Sequence, residues 1–177
     1  MQISSPAPRI LIVEPLKSGL AVMARRLGEA GYRVIVASSA ADAVSELHRA
    51  PVDLLLAELR MAPMSGIELT RLVRDDSGLR DLPVVLITGR SDKTGAVEGF
   101  AAGADDVVAK PFHFEVLLAR IAQRLAKARA VRELRRDNAT LDARVTTRAI
   151  ELGEMRAAFE ASEAERRRLA AMMRTPD

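Results

Sequence analysis

The chain contains no cysteine and no tryptophan, 3% aromatic residues and two histidines. Without cysteine there is no disulfide framework, no thiolate nucleophile and no thiolate metal site. His48 and His113 lie too far apart in sequence to announce a histidine-rich metal site, and both are read as solvated surface residues. So few aromatics exclude the stacking platforms on which single-stranded nucleic acids bind. No apolar run approaches the roughly 18 residues of a membrane-spanning helix. The opening "MQISSPAPR" is too short and too polar for a signal peptide. The net charge of +3 is too mild to call for a polyanionic partner. These absences predict a bacterial-type cytoplasmic protein with neither a membrane nor a nucleic acid as partner.

What remains is a foldable composition. Of 177 residues, 49% are apolar and 29% charged, room for one ordinary domain and an extension or for two small domains. To about Phe112 the sequence alternates two periods. "RILIV" (9–13), "YRVIVA" (32–37), "VDLLLA" (52–57), "LPVVLIT" (82–88) and "DVVAK" (106–110) are short apolar runs of the kind buried strands use. Between them lie helical patterns: "KSGLAVMARRLGEAG", which Gly31 can stop, "SAADAVSELHRA", which Ser38 or Ser39 can cap, "GIELTRLVRD" and "TGAVEGFAAGA". Strands alternating with helices of this size predict βαβ units and a parallel sheet covered on both faces. Ligands of such sheets bind beyond the carboxyl ends of the strands. The side chains at those ends are Glu14 and Pro15 after the first strand, Glu58 at the third, Thr88 at the fourth, and Lys110 with Pro111 at the fifth.

From Phe114 the period changes. Up to Met173 there is no proline and one glycine, Gly153, and Arg, Ala, Glu and Leu dominate. Counting sevens from Val131 places Val131, Asn138, Val145, Leu152, Phe159, Arg166 and Met173 at one seam position. Leu134, Leu141, Arg148, Met155, Ser162 and Leu169 take the other. This imperfect heptad pattern predicts a coiled coil. About 60 helical residues would extend roughly 90 Å, further than a lone amphipathic helix packed on one small domain can use. Asn138 within the seam favours a parallel two-stranded assembly of fixed register. The predicted organisation is a domain over 1–125 and a coiled-coil stalk over 126–177, continuous with the domain's last helix. "ERRRLAAMMR" is read as a solvated helix face, because glutamates interleave its arginines.

The strand-end cluster brings a family into view. "ILIVEP", "DLLLAELRMAPMSG", "VVLITG" and "GADDVVAKPF" together resemble the receiver domain of two-component response regulators over residues 8–125. The resemblance implies a flavodoxin-like doubly wound sheet of five strands in the order 2-1-3-4-5. It also implies phosphoryl transfer from a histidine kinase to an aspartate, with Mg²⁺ held by an acidic pair. In this sequence Glu58 stands at the phosphoacceptor position, Glu14 and Pro15 at the acidic pair, and Thr88 and Lys110 at the phosphoryl-binding positions. Val107 takes the place of a switch residue that is usually aromatic.

The departures from the family pattern all bear on one mechanism. Glu58 carries one methylene more than aspartate, which moves the carboxylate by about 1.5 Å, and in-line attack tolerates such displacement badly. Pro15 has no side-chain oxygen to offer an octahedral, oxygen-seeking Mg²⁺. Ala62-Pro63 replaces the usual Pro-Gly in the loop that helps to hold the metal. The expectation is therefore a pseudo-receiver: no enzyme, no cofactor, no metal ligands, and a homodimer through a parallel coiled coil. Three fates stay open for Glu58, namely imitation of the phosphorylated state by pairing with Lys110, an inert scaffold, and residual phosphorylation. The alternative is a phosphoaccepting receiver governing an output enzyme, such as a cyclic-di-GMP phosphodiesterase, a cyclase or a histidine kinase. "LDARVTTRAIEL" resembles the linker helices that join receivers to such modules, and Asp177 is read as lying inside such a linker.

Overall fold

Five strands and five helices alternate along the chain, each strand followed by a helix. The structure is a computed structural model and describes residues 6–90, 92 and 94–172. Strands β1 (Arg9–Val13), β2 (Arg33–Ala37), β3 (Leu54–Glu58), β4 (Val84–Thr88) and β5 (Asp106–Ala109) form one sheet in the order β2-β1-β3-β4-β5. Every neighbouring pair is parallel. Helices α1 (Lys17–Glu29), α2 (Ala40–Arg49), α3 (Gly66–Asp75), α4 (Gly95–Ala101) and α5 (Phe114–Met172) complete the fold.

The two-residue period of the strands sorts the core into two layers. Ile10 and Ile12, Leu54 and Leu56, Val85 and Ile87, and Val108 face one side, where Met23 and Leu27 of α1 and Leu117, Ile121 and Leu125 of α5 cover them. Leu11 and Val13, Leu55 and Ala57, and Val84 and Leu86 face the other side, against α2 and α3. Both faces of the central strands β1, β3 and β4 are dry, which is why these strands read as unbroken apolar runs.

Local signals set the helix ends. Gly31 takes φ +88° just beyond α1, a left-handed conformation that costs a glycine little. Ser39 accepts the Asp42 N–H and starts α2, while Ser65 and Glu68 form a reciprocal capping box at α3. Gly66 has no alternative, because a Cβ there would run into the backbone carbonyl of Glu58. That close approach seats the start of α3 against the end of β3.

The chain divides into two compact units, Met1–Ala130 and Val131–Asp177. In the second, every described residue from Val131 to Met172 is helical and exposed. The exposed side chains include Leu134 at 64%, Leu152 at 64% and Phe159 at 66%, large apolar groups with nothing from their own chain over them. Met173, the last heptad position named above, lies outside the described residues. Among the described residues no helix is long and apolar enough to cross a membrane.

Candidate functional site

Register brings the site together. Val13 lies beside Ala57, Glu58 beside Ile87, and Thr88 beside Ala109. The strand ends are therefore level, and Glu14, Glu58, Thr88 and Lys110 lie along one edge. Alternation then separates them. Glu14, Glu58 and Lys110 continue the rows of Ile12, Leu56 and Val108 on the α1 and α5 side, whereas Thr88 continues the row of Val84 and Leu86 on the other.

On the first side, Lys110 Nζ donates to Glu58 Oε2 at 2.6 Å and to Glu14 Oε2 at 3.0 Å. The second oxygen of Glu14 accepts the Leu16 N–H at 3.0 Å. Glu14 is 2% exposed, a buried carboxylate whose charge is met by one ammonium and one backbone donor. Gly19 of α1 lets the helix close over it, since a Cβ there would sit 3.3 Å from the Glu14 carboxylate.

Two carboxylates around one ammonium leave the cluster with one uncompensated negative charge. Burial, opposed by Lys110 and reinforced by Glu14, holds the Glu58 carboxyl above its ordinary value. For Lys110, burial alone would lower the ammonium's affinity for its proton. The hydrogen bonds to Glu58 and Glu14 outweigh burial and raise it. Burial is thus the main cause of the Glu58 shift, and the two acids are the cause of the Lys110 shift.

On the opposite side, the hydroxyl of Thr88, 3% exposed, donates to Asp92 Oδ2 at 3.2 Å. Of the four strand-end groups, three meet directly, and Thr88 hydrogen-bonds elsewhere because of its parity in β4. Asp92 in turn is gripped by Arg60, with Nε to Oδ2 at 2.7 Å and Nη2 to Oδ1 at 3.2 Å. Sequence reasoning missed Arg60 and Asp92. The polar stretch "RSDKTG" before α4 was a faint signal for a helix-capping acid, and no periodicity marks Arg60 as its partner. Pro15 is exposed. Val107 is partly buried against the α2 and α3 layer, where its Cγ2 limits the space at Gly99. His48, read as a solvated surface residue, is exposed, with Nδ1 2.9 Å from the Val44 carbonyl and Nε2 3.3 Å from Asp76 Oδ2.

The fold suggests a family, and the comparisons decide it. The family model described as response regulator receiver domain matches residues 10–122. The chain belongs to the response regulator receiver family. It is 39% identical over 119 residues to the transcriptional regulatory protein YvrH of Bacillus subtilis, covering 67% of this chain and 49% of that one. It is 33% identical over 146 residues to a Vibrio cholerae protein named "probable cyclic di-GMP phosphodiesterase", covering 82% of this chain and 33% of the relative. The receiver thus spans about half or less of the length of these relatives. Among solved structures, the signal receiver domain of a signal transduction histidine kinase from Syntrophus aciditrophicus matches at 31% identity and TM-score 0.65, over 68% of this chain and 92% of that one. The receiver domain of the TMAO respiratory system response regulator TorR matches at 31% and TM-score 0.63, over 68% and 98%.

Receivers ordinarily bind Mg²⁺ at the phosphorylation site, and the residues here do not fit that ion. The ion needs several oxygens in near-octahedral array. Pro15 supplies no side-chain oxygen, one oxygen of Glu14 is held by the Leu16 N–H, and the other, with Glu58, is held by Lys110. Among the described residues no group of three or more His, Cys, Asp and Glu side chains could hold a metal ion.

Proposed function

We propose that this receiver is a degenerate, phosphorylation-independent signalling module, without catalytic activity of its own, that works as a homodimer joined by a parallel coiled coil. The observation that carries the reading is the Lys110 ammonium between Glu14 and Glu58. It offsets part of the acidic centre's charge from within, where the family's chemistry needs a metal and a free aspartate. Phosphoryl transfer depends on positioning and on charge neutralisation at the transferring group, and here both acids are committed to the lysine. The 2.6 Å contact with Glu58 supports partial imitation of the phosphorylated state, while the hydrogen bond of Thr88 to Asp92 leaves that imitation incomplete.

The second unit supplies the dimer. Val131, Leu134, Leu141, Val145, Leu152, Met155, Phe159 and Leu169 are between 38% and 67% exposed in the single chain. An apolar stripe of that length is uncommon on a monomer. Burying each large side chain contributes about 1.5–3 kcal/mol, enough collectively to offset the entropy of association. Asn138 favours one register.

Incubation with a small phosphodonor and Mg²⁺, followed by intact-mass spectrometry, tests the central claim. The expected result is no phosphoryl adduct, with capacity returning only when Glu58→Asp and Pro15→Asp are combined. A stoichiometric adduct on Glu58 overturns the reading. It would favour instead a phosphoaccepting receiver that governs an output enzyme. One observation supports that second reading: the 146-residue match to the phosphodiesterase relative is longer than the first unit and so reaches into the helical segment.

A further inference from the structure

Thr88 Oγ1 has a single proton to donate, and it goes to Asp92 Oδ2. The Asp92 carboxylate is held from three directions. Arg60 of the loop after β3 grips both oxygens through its planar fork, the Gly95 N–H at the start of α4 donates to Oδ1 at 2.9 Å, and Thr88 closes the set from β4. Arg60 also reaches Glu98 Oε2 at 2.8 Å, and Glu98 accepts from Thr94 Oγ1 at 2.7 Å. Gly95 makes the approach possible. A Cβ there would lie 2.6 Å from Asp92 Oδ2 and 2.7 Å from Thr88 Oγ1, closer than real Cβ contacts come. The Asp92 side chain is 16% exposed, so this anion is largely withdrawn from water. Arg60, above all, holds the Asp92 carboxyl below its ordinary range.

We propose that Asp92 is a resident anion for Thr88: a positioning residue which, strapped by Arg60, pins the Thr88 hydroxyl and the Gly95 N–H at the start of α4 in one arrangement. This rests on reading Thr88 as the hydroxyl that would otherwise meet a phosphoryl group. With Glu58 on Lys110 and Asp92 on Thr88, both phosphoryl-binding groups of the receiver are occupied by carboxylates of its own chain. The start of α4 at Gly95 is then held to Thr88 through Asp92 and Arg60, and an external anion has to displace one of these carboxylates to be bound.

The test uses the full chain with Thr methyl labelling and reads the Thr88 side-chain rotamer by three-bond couplings, together with amide exchange at Gly95. In the unmodified protein one rotamer is expected. Asp92→Ala should give averaged couplings and roughly tenfold or greater acceleration of Gly95 exchange, because a hydrogen bond to a charged acceptor is lost. Asp92→Leu keeps the volume without an acceptor and should average the couplings as Asp92→Ala does, which a merely structural loss of packing would not predict. Arg60→Ala should lie between the unmodified protein and Asp92→Ala. In an acid titration of the unmodified protein, the Thr88 methyl and Gly95 amide signals should share one midpoint, below the ordinary aspartate value of 3.8. A Thr88 rotamer unchanged in Asp92→Ala, or already averaged in the unmodified chain, overturns the proposal. The mass experiment is separable: an adduct on Glu58 would remove the functional reading and leave the rotamer result standing. A Thr88 that ignores Asp92 would do the reverse.

Discussion

Lys110 Nζ lies 2.6 Å from Glu58 Oε2, and the same ammonium is 3.0 Å from Glu14, whose side chain is 3% exposed. The two contacts differ in consequence because the two acids differ in access to water. Glu14 cannot recover solvation if its partner goes, whereas Glu58, with its side chain 14% exposed, can do so in part. Breaking a buried pair by removing one member is far more damaging than removing a partly solvated acid.

Lys110→Ala is therefore expected to destabilise the first unit by about 2–4 kcal/mol, somewhat less than for a fully buried pair because Lys110 is itself partly exposed. Glu58→Gln leaves a balanced pair of Glu14 and Lys110 and should stay within about 1 kcal/mol of the unmodified protein. Urea unfolding at constant m-value measures both. Equal losses in the two variants would contradict the triad.

The pH dependence has a definite sign at each end. Lys110 binds its proton more tightly folded than unfolded, so its stabilising contribution is complete below about 10.5 and is lost as the pH rises through the higher folded value. Glu58 is also raised, so the folded state gains on the unfolded one as the pH falls from neutral through its folded value toward 4.5. The stability difference between the unmodified protein and Glu58→Gln should accordingly shift in favour of the unmodified protein over that acid range. A difference that does not vary with pH would show that the carboxyl titrates alike in both states.

Arg74 holds a different part of the same unit. Its Nε donates to the Gly103 carbonyl at 2.8 Å, Nη1 to the Leu82 and Arg80 carbonyls at 2.8 and 3.0 Å, and Nη2 to Asp105 at 2.8 Å. Arg74→Ala should cost about 2–3 kcal/mol by orphaning these acceptors. Arg74→Lys should recover less than half, since an ammonium cannot reproduce the fork. Thermal or urea unfolding of the two variants provides the check.

The dimer proposal predicts that sedimentation gives a dimer at micromolar concentration and that a chain ending at Ala130 is a monomer or a weak dimer. Because the chain has no cysteine, Leu141→Cys provides a clean reporter of direction. In a parallel pair the two thiols face each other and cross-link readily on oxidation. In an antiparallel pair each would sit beside a different side chain and stay free. A truncated first unit as tightly dimeric as the whole chain would remove the helix from its proposed role.

Much of this was legible from local chemistry. Runs such as Ile10 to Val13 and Val84 to Ile87 announce doubly buried strands because a dry sheet tolerates no polar face. Ser39 and Gly31 mark helix ends because unsatisfied backbone groups and left-handed φ values select those side chains. The short pieces between them restrict the topology to parallel crossovers, and so level the strand ends that bear Glu14, Glu58, Thr88 and Lys110. What stayed hidden depends on contacts between residues remote in sequence. Whether Lys110 serves one acid or two depends on the depth at which Glu14 is buried under α1. Thr88 hydrogen-bonds Asp92 because residue parity in β4 puts its side chain on the other layer, and Arg60 finds that acid across 32 positions of sequence. Periodicity reports which face of an element is dry. It carries no record of which charges meet above the edge of the sheet, because that pairing is set by the docking of whole helices, and only the assembled fold decides it.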